Sequence, residues 1–475
     1  MEEVNLGDDI IEQIKNFNNR ELTEEQNVLI NKLMPNEGLK ERYEMYGLCK
    51  ERKHINTDDY WCQICESKNF QQNFKNWTSG NHNVDEFIQK AQLKAKSFEQ
   101  ILEWIEQDNF KNVEYLAKGG FGITYKAIWK DGYIKRDYKN DKWIRNGETK
   151  VALKCLHDSH DITAEFLKEI ESHILAHKSG WVIRCFGISK DSKTNNFMMV
   201  MELRKGNLRQ HLNDNFNSLN WEKKLYMLQA ISYGLKDIHN SGLIHRDLHC
   251  GNLLSNENND KEVYITDLGL CQPANAKISQ DDNKEIYGVL PYVAPEVLNG
   301  DKYTKASDIY GFGIIAYEIC TGLPPYHDVS HDTFLALKIC QGLRPNSDYK
   351  IPQLIFDIIN QCWDAVSSNR PIAKLIHKIF SDLLWNEYND DYAIIRKQIK
   401  EADESNEKLK TSSSLLSTGA LSYMNHPQAF YTSRRLDFKN LSKPKNSNLF
   451  ETEYSDSISI DFVEQNIDSK VDKNN

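Results

Sequence analysis

The chain has 475 residues, 40% of them apolar and 27% charged, with a formal net charge of −10. That length suits two or three domains, the apolar share suffices for a core, and a mean hydropathy of −0.64 points to solvated or disordered stretches as well. The acidic balance argues against a nucleic-acid partner or an anionic membrane surface. No apolar run approaches the roughly 20 residues of a spanning helix, and the acidic stretch from Met1 to Asp9 does not read as a secretory signal. Among ten cysteines only Cys62 and Cys65 are closely spaced, so free thiols and a reducing, cytoplasmic location are expected.

Residues 1–45 read as an acidic, partly helical arm, with Ile10, Ile14 and Phe17 at helical spacing. Residues 46–109 hold Cys49, His54, Cys62 and Cys65 beside Tyr60, Trp61, Phe70, Phe74 and Trp77, and the pattern turns helical from 81. Two Cys-x-x-Cys knuckles make a zinc ribbon, but Arg52 stands where the fourth cysteine belongs. Either His54 completes a Cys3His zinc site, or the knuckle folds without metal around Trp61, Phe70 and Trp77. The module is expected to bind a protein partner or to pack on the domain that follows.

Residues 110–384 open with strand patterns at Val113 to Trp129 and Val151 to Leu156. Helical patterns follow at Ile162 to His177 and Trp221 to Asn240, and the apolar stretch Ile309 to Cys320 reads as a buried helix. Strands first and helices later predict a two-lobed α+β architecture. Residues 385–475 read as a charged helix, from Tyr388 to Lys410, and then a disordered polar tail. No internal repeat is seen.

A series of short motifs runs through residues 110–384. Leu116-Ala117-Lys118-Gly119-Gly120-Phe121-Gly122-Ile123-Thr124 is glycine-rich, and glycine lets a backbone lie close over phosphate oxygens. Val151-Ala152-Leu153-Lys154 precedes a helical pattern holding Glu165, Glu169 and Glu171, and Phe197 to Met201 is an apolar run ending in Glu202-Leu203. Then come His245-Arg246-Asp247-Leu248-His249-Cys250-Gly251-Asn252, Thr266-Asp267-Leu268-Gly269, Ala294-Pro295-Glu296, Asp308 and Asn369-Arg370-Pro371. Any one alone could be a hairpin turn, a solvated lysine or a surface charge. In this order they resemble eukaryotic protein kinases, over about residues 110–384. His245 to Asn252, and Cys362-Trp363-Asp364 followed by Arg370-Pro371, resemble the tyrosine-kinase-like group.

The resemblance implies a kinase fold, with an antiparallel-sheet small lobe and a mainly helical large lobe, that transfers the ATP γ-phosphate to a protein hydroxyl, serine or threonine above tyrosine. Leu116 to Thr124, Ala152, Lys154, Met201, Glu202 and Leu203 are then expected around ATP, with Met201 as gatekeeper. Lys154 would pair with a helix glutamate, Glu169 before Glu165 or Glu171. Asp247 would be the base, Asn252 and Asp267 the Mg²⁺ ligands, and Asp308, Glu296 and Arg370 structural supports. Ala117 and Thr124 depart from the glycine-loop pattern, and Leu268 from Asp-Phe-Gly. His249 replaces the lysine of serine/threonine kinases and Val289 the threonine that pairs with it, so both halves of one contact change together. His249 either donates to the γ-phosphate or merely packs. Arg246 invites control by phosphorylation between Leu270 and Val293, where Ser279 is the only serine and threonine is absent. The alternative is a catalytically weak pseudokinase serving as a signalling scaffold.

Overall fold

The computed structural model describes residues 6–118, 122–137, 142–156, 162–256, 259–274, 286–346, 348–385, 393–412, 423–438 and 441–447. Five helices come first: α1 (Asp8–Ile14), α2 (Glu24–Leu33), α3 (Glu37–Tyr46), α4 (Gln63–Asn73) and α5 (His82–Lys94). Thr23 starts α2 through a capping box, its side chain accepting from the Gln26 N–H while the Gln26 side chain returns to Thr23. Ile14, Ile30, Met34, Tyr43 and Ile55 close a small core among the first three helices. The stretch expected as an arm therefore folds on its own apolar residues. Trp61 lies 5.3 Å from the ring of Trp143, and Val84 and Ile88 of α5 share a core with Phe166 and Met199. These contacts pack the N-terminal module onto the sheet that follows.

That sheet is built from β1 (Glu103–Trp104), β2 (Phe110–Lys118), β3 (Gly122–Trp129), β6 (Thr149–Leu156), β7 (Cys185–Lys190) and β8 (Phe197–Glu202), while β4 (Ile134–Asp137) and β5 (Lys142–Arg145) form a separate hairpin. Its order is β1-β7-β8-β6-β3-β2, with β1 parallel to β7 and the remaining neighbours antiparallel. The sheet thus reaches back ahead of the expected boundary at residue 110. In β6, Val151 and Leu153 are buried, and strand alternation places Ala152 and Lys154 together on the opposite face. Helix α6 (Ala164–Ala176) begins at Thr163, whose side chain accepts from the Phe166 N–H, and buries Phe166, Glu169, Ile170 and His173.

The large lobe continues with β9 (Gly206–Asn207), α7 (Leu208–Asn215), α8 (Trp221–Asn240), β10 (Leu243–Ile244), β11 (Leu253–Ser255), β12 (Val263–Ile265), β13 (Gln272–Pro273) and β14 (Ile286–Gly288). Then come α9 (Pro295–Leu298), α10 (Lys305–Thr321), α11 (Thr333–Cys340), α12 (Gln353–Cys362), α13 (Ala373–Trp385), α14 (Ala393–Ser412) and β15 (Arg434–Leu436). Helix α10 is buried at every position from Ser307 to Thr321, so it is core all round. It stops at Gly322, whose φ of +73° gives the left-handed turn that ends many helices. Within the stretch expected to be disordered, β15 pairs with β14, Leu436 joins the large-lobe core, and Tyr431, Phe438 and Leu441 pack against it. Enough apolar side chains recur there to find a surface, despite the polar average. Among the described residues no helix is long and apolar enough to cross a membrane.

Candidate active site

The loop after β10 hangs on one carboxylate. Asp308, near the start of α10 and buried, accepts the His245 N–H at 2.8 Å, the Arg246 N–H at 2.9 Å and His239 Nε2 at 2.9 Å. Arg246 sits at φ +71°, a conformation costing on the order of 1–3 kcal/mol that the Asp308 bond helps to hold. Asn252 Nδ2 donates to the Asp247 carbonyl at 2.9 Å and to its Oδ2 at 3.2 Å. Both groups are thereby oriented, and Asn252 Oδ1 is turned toward other partners. Asp247 Oδ1 is buried with no hydrogen-bond partner, and a Cβ on Gly288 would stand 3.6 Å from it.

His249 Nδ1 accepts the Gly251 N–H at 3.0 Å. That bond requires a bare Nδ1, so the ring proton is assigned to Nε2, which lies 3.5 Å from Asp247 Oδ2. The ring is buried against Tyr292, 5.9 Å between centroids. His249 thus sits beside Asp247 in the core of the loop, and Val289 is buried as well.

Across the cleft, Lys154 Nζ donates to Glu169 Oε1 at 2.6 Å and to Asp267 Oδ1 at 2.9 Å. Of the three glutamates weighed, Glu169 is the one that reaches Lys154. Burial works against the Lys154 charge, yet the two carboxylates hold its ammonium above the ordinary lysine range. Burial pushes the Glu169 carboxyl up, while for Asp267 the Lys154 ammonium outweighs burial and holds it down, so Asp267 carries the firmer negative charge. Asp267 has φ +60°, a second left-handed residue in the same cleft.

The remaining expected positions surround this centre. Met201 is buried, opposite Ala152 on one side and Cys185 on the other. The Glu202 N–H bonds the Arg184 carbonyl at 3.0 Å, and Leu203 follows it out of the strand. Ala117 faces Thr124, and Lys118 faces Ile123, where β2 and β3 approach their turn, with Leu116 exposed. Gly119, Gly120, Phe121 and Ser279 lie outside the described residues. Arg370 makes a bidentate pair with Glu296, both bonds 2.7 Å, and gives further donors to the Ala306 and Asp364 carbonyls. One network escaped the sequence reading. Arg209 bonds Glu318 at 2.9 Å, and both bond the Tyr292 hydroxyl, tying α7 and α10 to the segment before Ala294. A lone glutamate in the apolar run from Ile309 to Cys320 was the available signal.

At the N-terminal module, the Cys49, Cys62 and Cys65 sulfurs lie within 4.8 Å of one another and all three residues are buried. Of the four residues named for a possible zinc site, these three cysteines come together, and no His54 ring nitrogen lies within that distance of all three. The Leu48–Ile55 bridge and the Cys49 N–H bond to the His54 carbonyl, 2.7 Å, fix a tight hairpin in which His54 serves through its backbone.

Residues 110–380 match the family model of protein tyrosine and serine/threonine kinases. The probable serine/threonine-protein kinase roco5 of Dictyostelium discoideum is 30% identical over 288 residues, 58% of this chain and 10% of its own length. The tyrosine-protein kinase SPK-1 of Girardia tigrina is 25% identical over 56% of this chain and 52% of its own, and the dual specificity protein kinase pyk3 of Dictyostelium discoideum 26% over 61% and 20%. The chain spans well under two thirds of the length of these relatives. With this site inside the matched region, the chain belongs to the protein tyrosine and serine/threonine kinase family.

Proposed function

We propose that this chain is an active protein kinase of the tyrosine-kinase-like group, transferring the ATP γ-phosphate to serine or threonine hydroxyls of a protein in the cytoplasm. One observation carries the reading: Lys154 bridges Glu169 and Asp267 in the same cleft where Asn252 orients Asp247. A degraded site has no reason to keep both the Lys154–Glu169–Asp267 cluster and the Asn252–Asp247 pair. Relatives named as serine/threonine and dual-specificity kinases support the choice of hydroxyl.

Each residue then has a task. Asp247 Oδ1, bare and buried, takes the proton of the substrate hydroxyl. Lys154 is charged and positioned to hold nucleotide phosphates, with Glu169 fixing its reach. Asp267 stays ionised, and Asn252 directs its oxygen away from Asp247, so the pair offers the hard oxygen donors that Mg²⁺ prefers. The metal would neutralise charge on the phosphates. His249 keeps Asp247 in place from the far side. Asp247→Asn is expected to cut γ-phosphate transfer to a generic protein substrate by roughly 10²–10⁴-fold. Equal transfer by both proteins would overturn the reading.

The three-thiol cluster supports a zinc site whose fourth ligand is water or another donor, since His54 stands apart. Purified chain is expected to carry zinc in a one-to-one ratio by elemental analysis, and Cys62→Ser to lose it. A metal-free chain with an unchanged melting temperature on adding zinc would decide for the empty knuckle.

A further inference from the structure

The tail strand β15 is hydrogen-bonded along β14, in the segment that leads to Ala294-Pro295-Glu296. Its register is antiparallel: Leu436 faces Ile286, Arg435 faces Tyr287 and Arg434 faces Gly288. β14 itself runs against the catalytic loop, since a Cβ on Gly288 would stand 3.0 Å from Val293 Cγ2 and 3.6 Å from Asp247 Oδ1. Paired strands lie about 4.8 Å apart, so the tail backbone at Arg434 is one strand width from the residue that borders Asp247. Asp247 Oδ1 is also solvent-excluded and without a hydrogen-bond partner, so a substrate hydroxyl reaches it only after something beside it moves.

The tail is held in one register by side chains. The Tyr431 hydroxyl bonds the Pro325 carbonyl at 3.0 Å, and Arg209 stacks over the Tyr431 ring at 4.1 Å. Arg434 Nη2 bonds the His331 carbonyl at 2.9 Å, and Leu436 is buried in the large-lobe core. β14 has holds of its own: the Tyr303 hydroxyl donates to the Tyr287 carbonyl at 2.6 Å, and Val289 and Leu290 are buried. The tail thus adds occupancy of a strand edge beside the base to a segment that is already fixed.

We infer that residues 423–438 are an autoinhibitory segment, which competes with the protein substrate for the β14 edge. The inference rests on the kinase reading above. Main-chain pairing along a strand edge is open to any extended peptide, whatever its side chains, so a substrate segment and the tail are rivals for it. Tethering gives the tail an effective concentration of about a millimolar, which favours it over a dilute substrate. Its anchors reach Pro325, His331 and the large-lobe core, while Lys154, Glu169 and Asp267 meet one another across the cleft. The block therefore falls on the protein substrate and spares ATP.

The test compares the full chain with Leu436→Asp, which puts a charge into the core contact, and with Tyr431→Ala, which removes the other anchor. Each phosphorylates a generic protein with ATP and Mg²⁺. Substrate binds only the undocked fraction, so a tail docked about nine-tenths of the time raises the apparent KM roughly tenfold and leaves kcat alone. Both variants are expected to lower the KM for the protein by roughly that factor, with kcat and the KM for ATP held. A synthetic peptide of residues 423–438 should inhibit Leu436→Asp competitively against the protein and not against ATP, and the same peptide carrying L436D should not inhibit. Equal KM in all three proteins overturns the inference, and so does a fall in kcat at unchanged KM, which makes the tail a brace. Where a variant loses its cooperative melt, the peptide on the unmodified chain decides. At about a millimolar it should about double the KM for the protein, and an unchanged KM overturns the inference. Transfer by none of these proteins overturns the kinase reading instead.

Discussion

Lys154 and Arg370 are both cations paired with carboxylates inside the protein, and they are built differently. Arg370 has a side chain with no exposure and is matched one to one with Glu296, its spare donors spent on backbone carbonyls. Charge and hydrogen bonds balance, and nothing more is needed. Lys154 is 15% exposed and faces two carboxylates, one from α6 and one from a left-handed residue of the large lobe. That cluster keeps surplus negative charge, which an incoming cation can neutralise. A closed pair holds the fold, whereas an unbalanced pair between lobes is poised for a ligand.

Four experiments would break or sharpen that contrast. The largest effect belongs to the closed pair: Arg370→Ala leaves Glu296 charged and unpaired, and should cost about 3–5 kcal/mol of unfolding free energy in a urea titration. If transfer falls while stability stays, the pair is catalytic after all. Lys154→Met should lower phosphate transfer by roughly 10²–10³-fold while costing less stability than Arg370→Ala, because burial already pushes the Glu169 carboxyl up and lets it take a proton once the ammonium is gone. Loss of stability as large as that of Arg370→Ala would erase the distinction. Glu169→Gln keeps the hydrogen bond but removes one of two negative charges, so a smaller loss in kcat is expected than for Lys154→Met, with glutamine substituted at Glu165 as the silent control.

The smallest effect separates this charged cluster from the neutral rings beside it. His173 and His177 are buried with pKa values pushed down from 6.5 to about 3 and about 4, burial being the main cause. The unfolded chain binds these protons first, so stability is complete above 6.5 and drains as pH falls toward those values. One unit below 6.5, each contributes a loss of up to about 1.4 kcal/mol. Urea midpoints that do not move over that unit, or that move equally in His173→Gln, would assign the pH response elsewhere.

Much of the site was legible in the order of residues. His245 to Asn252, Thr266 to Gly269 and Val151 to Lys154 announce their chemistry because each positions its groups through local backbone, within one loop or one strand. The helix boundaries at Trp221 and Asn240 were legible for the same reason, since periodicity and the Asn220 cap are local. Glu169 was favoured over Glu165 and Glu171 before the fold showed which of them reaches Lys154.

The rest depended on contacts between distant segments. Spacing left open whether His54 completes a Cys3His set or the knuckle folds without metal, and the fold brings together the three cysteines and uses the His54 carbonyl in a hairpin bond. The polar average of the tail hid Tyr431, Leu436 and Phe438, whose value appears only when the large lobe offers a surface to bury them. Glu318 became meaningful once α7 brought Arg209 beside it. By itself the sequence determined which chemical groups this protein carries and their order along a kinase domain. Only the tertiary structure decided which groups meet, because burial, strand register and charge pairing between remote segments are free energies of the assembled fold and of no single motif.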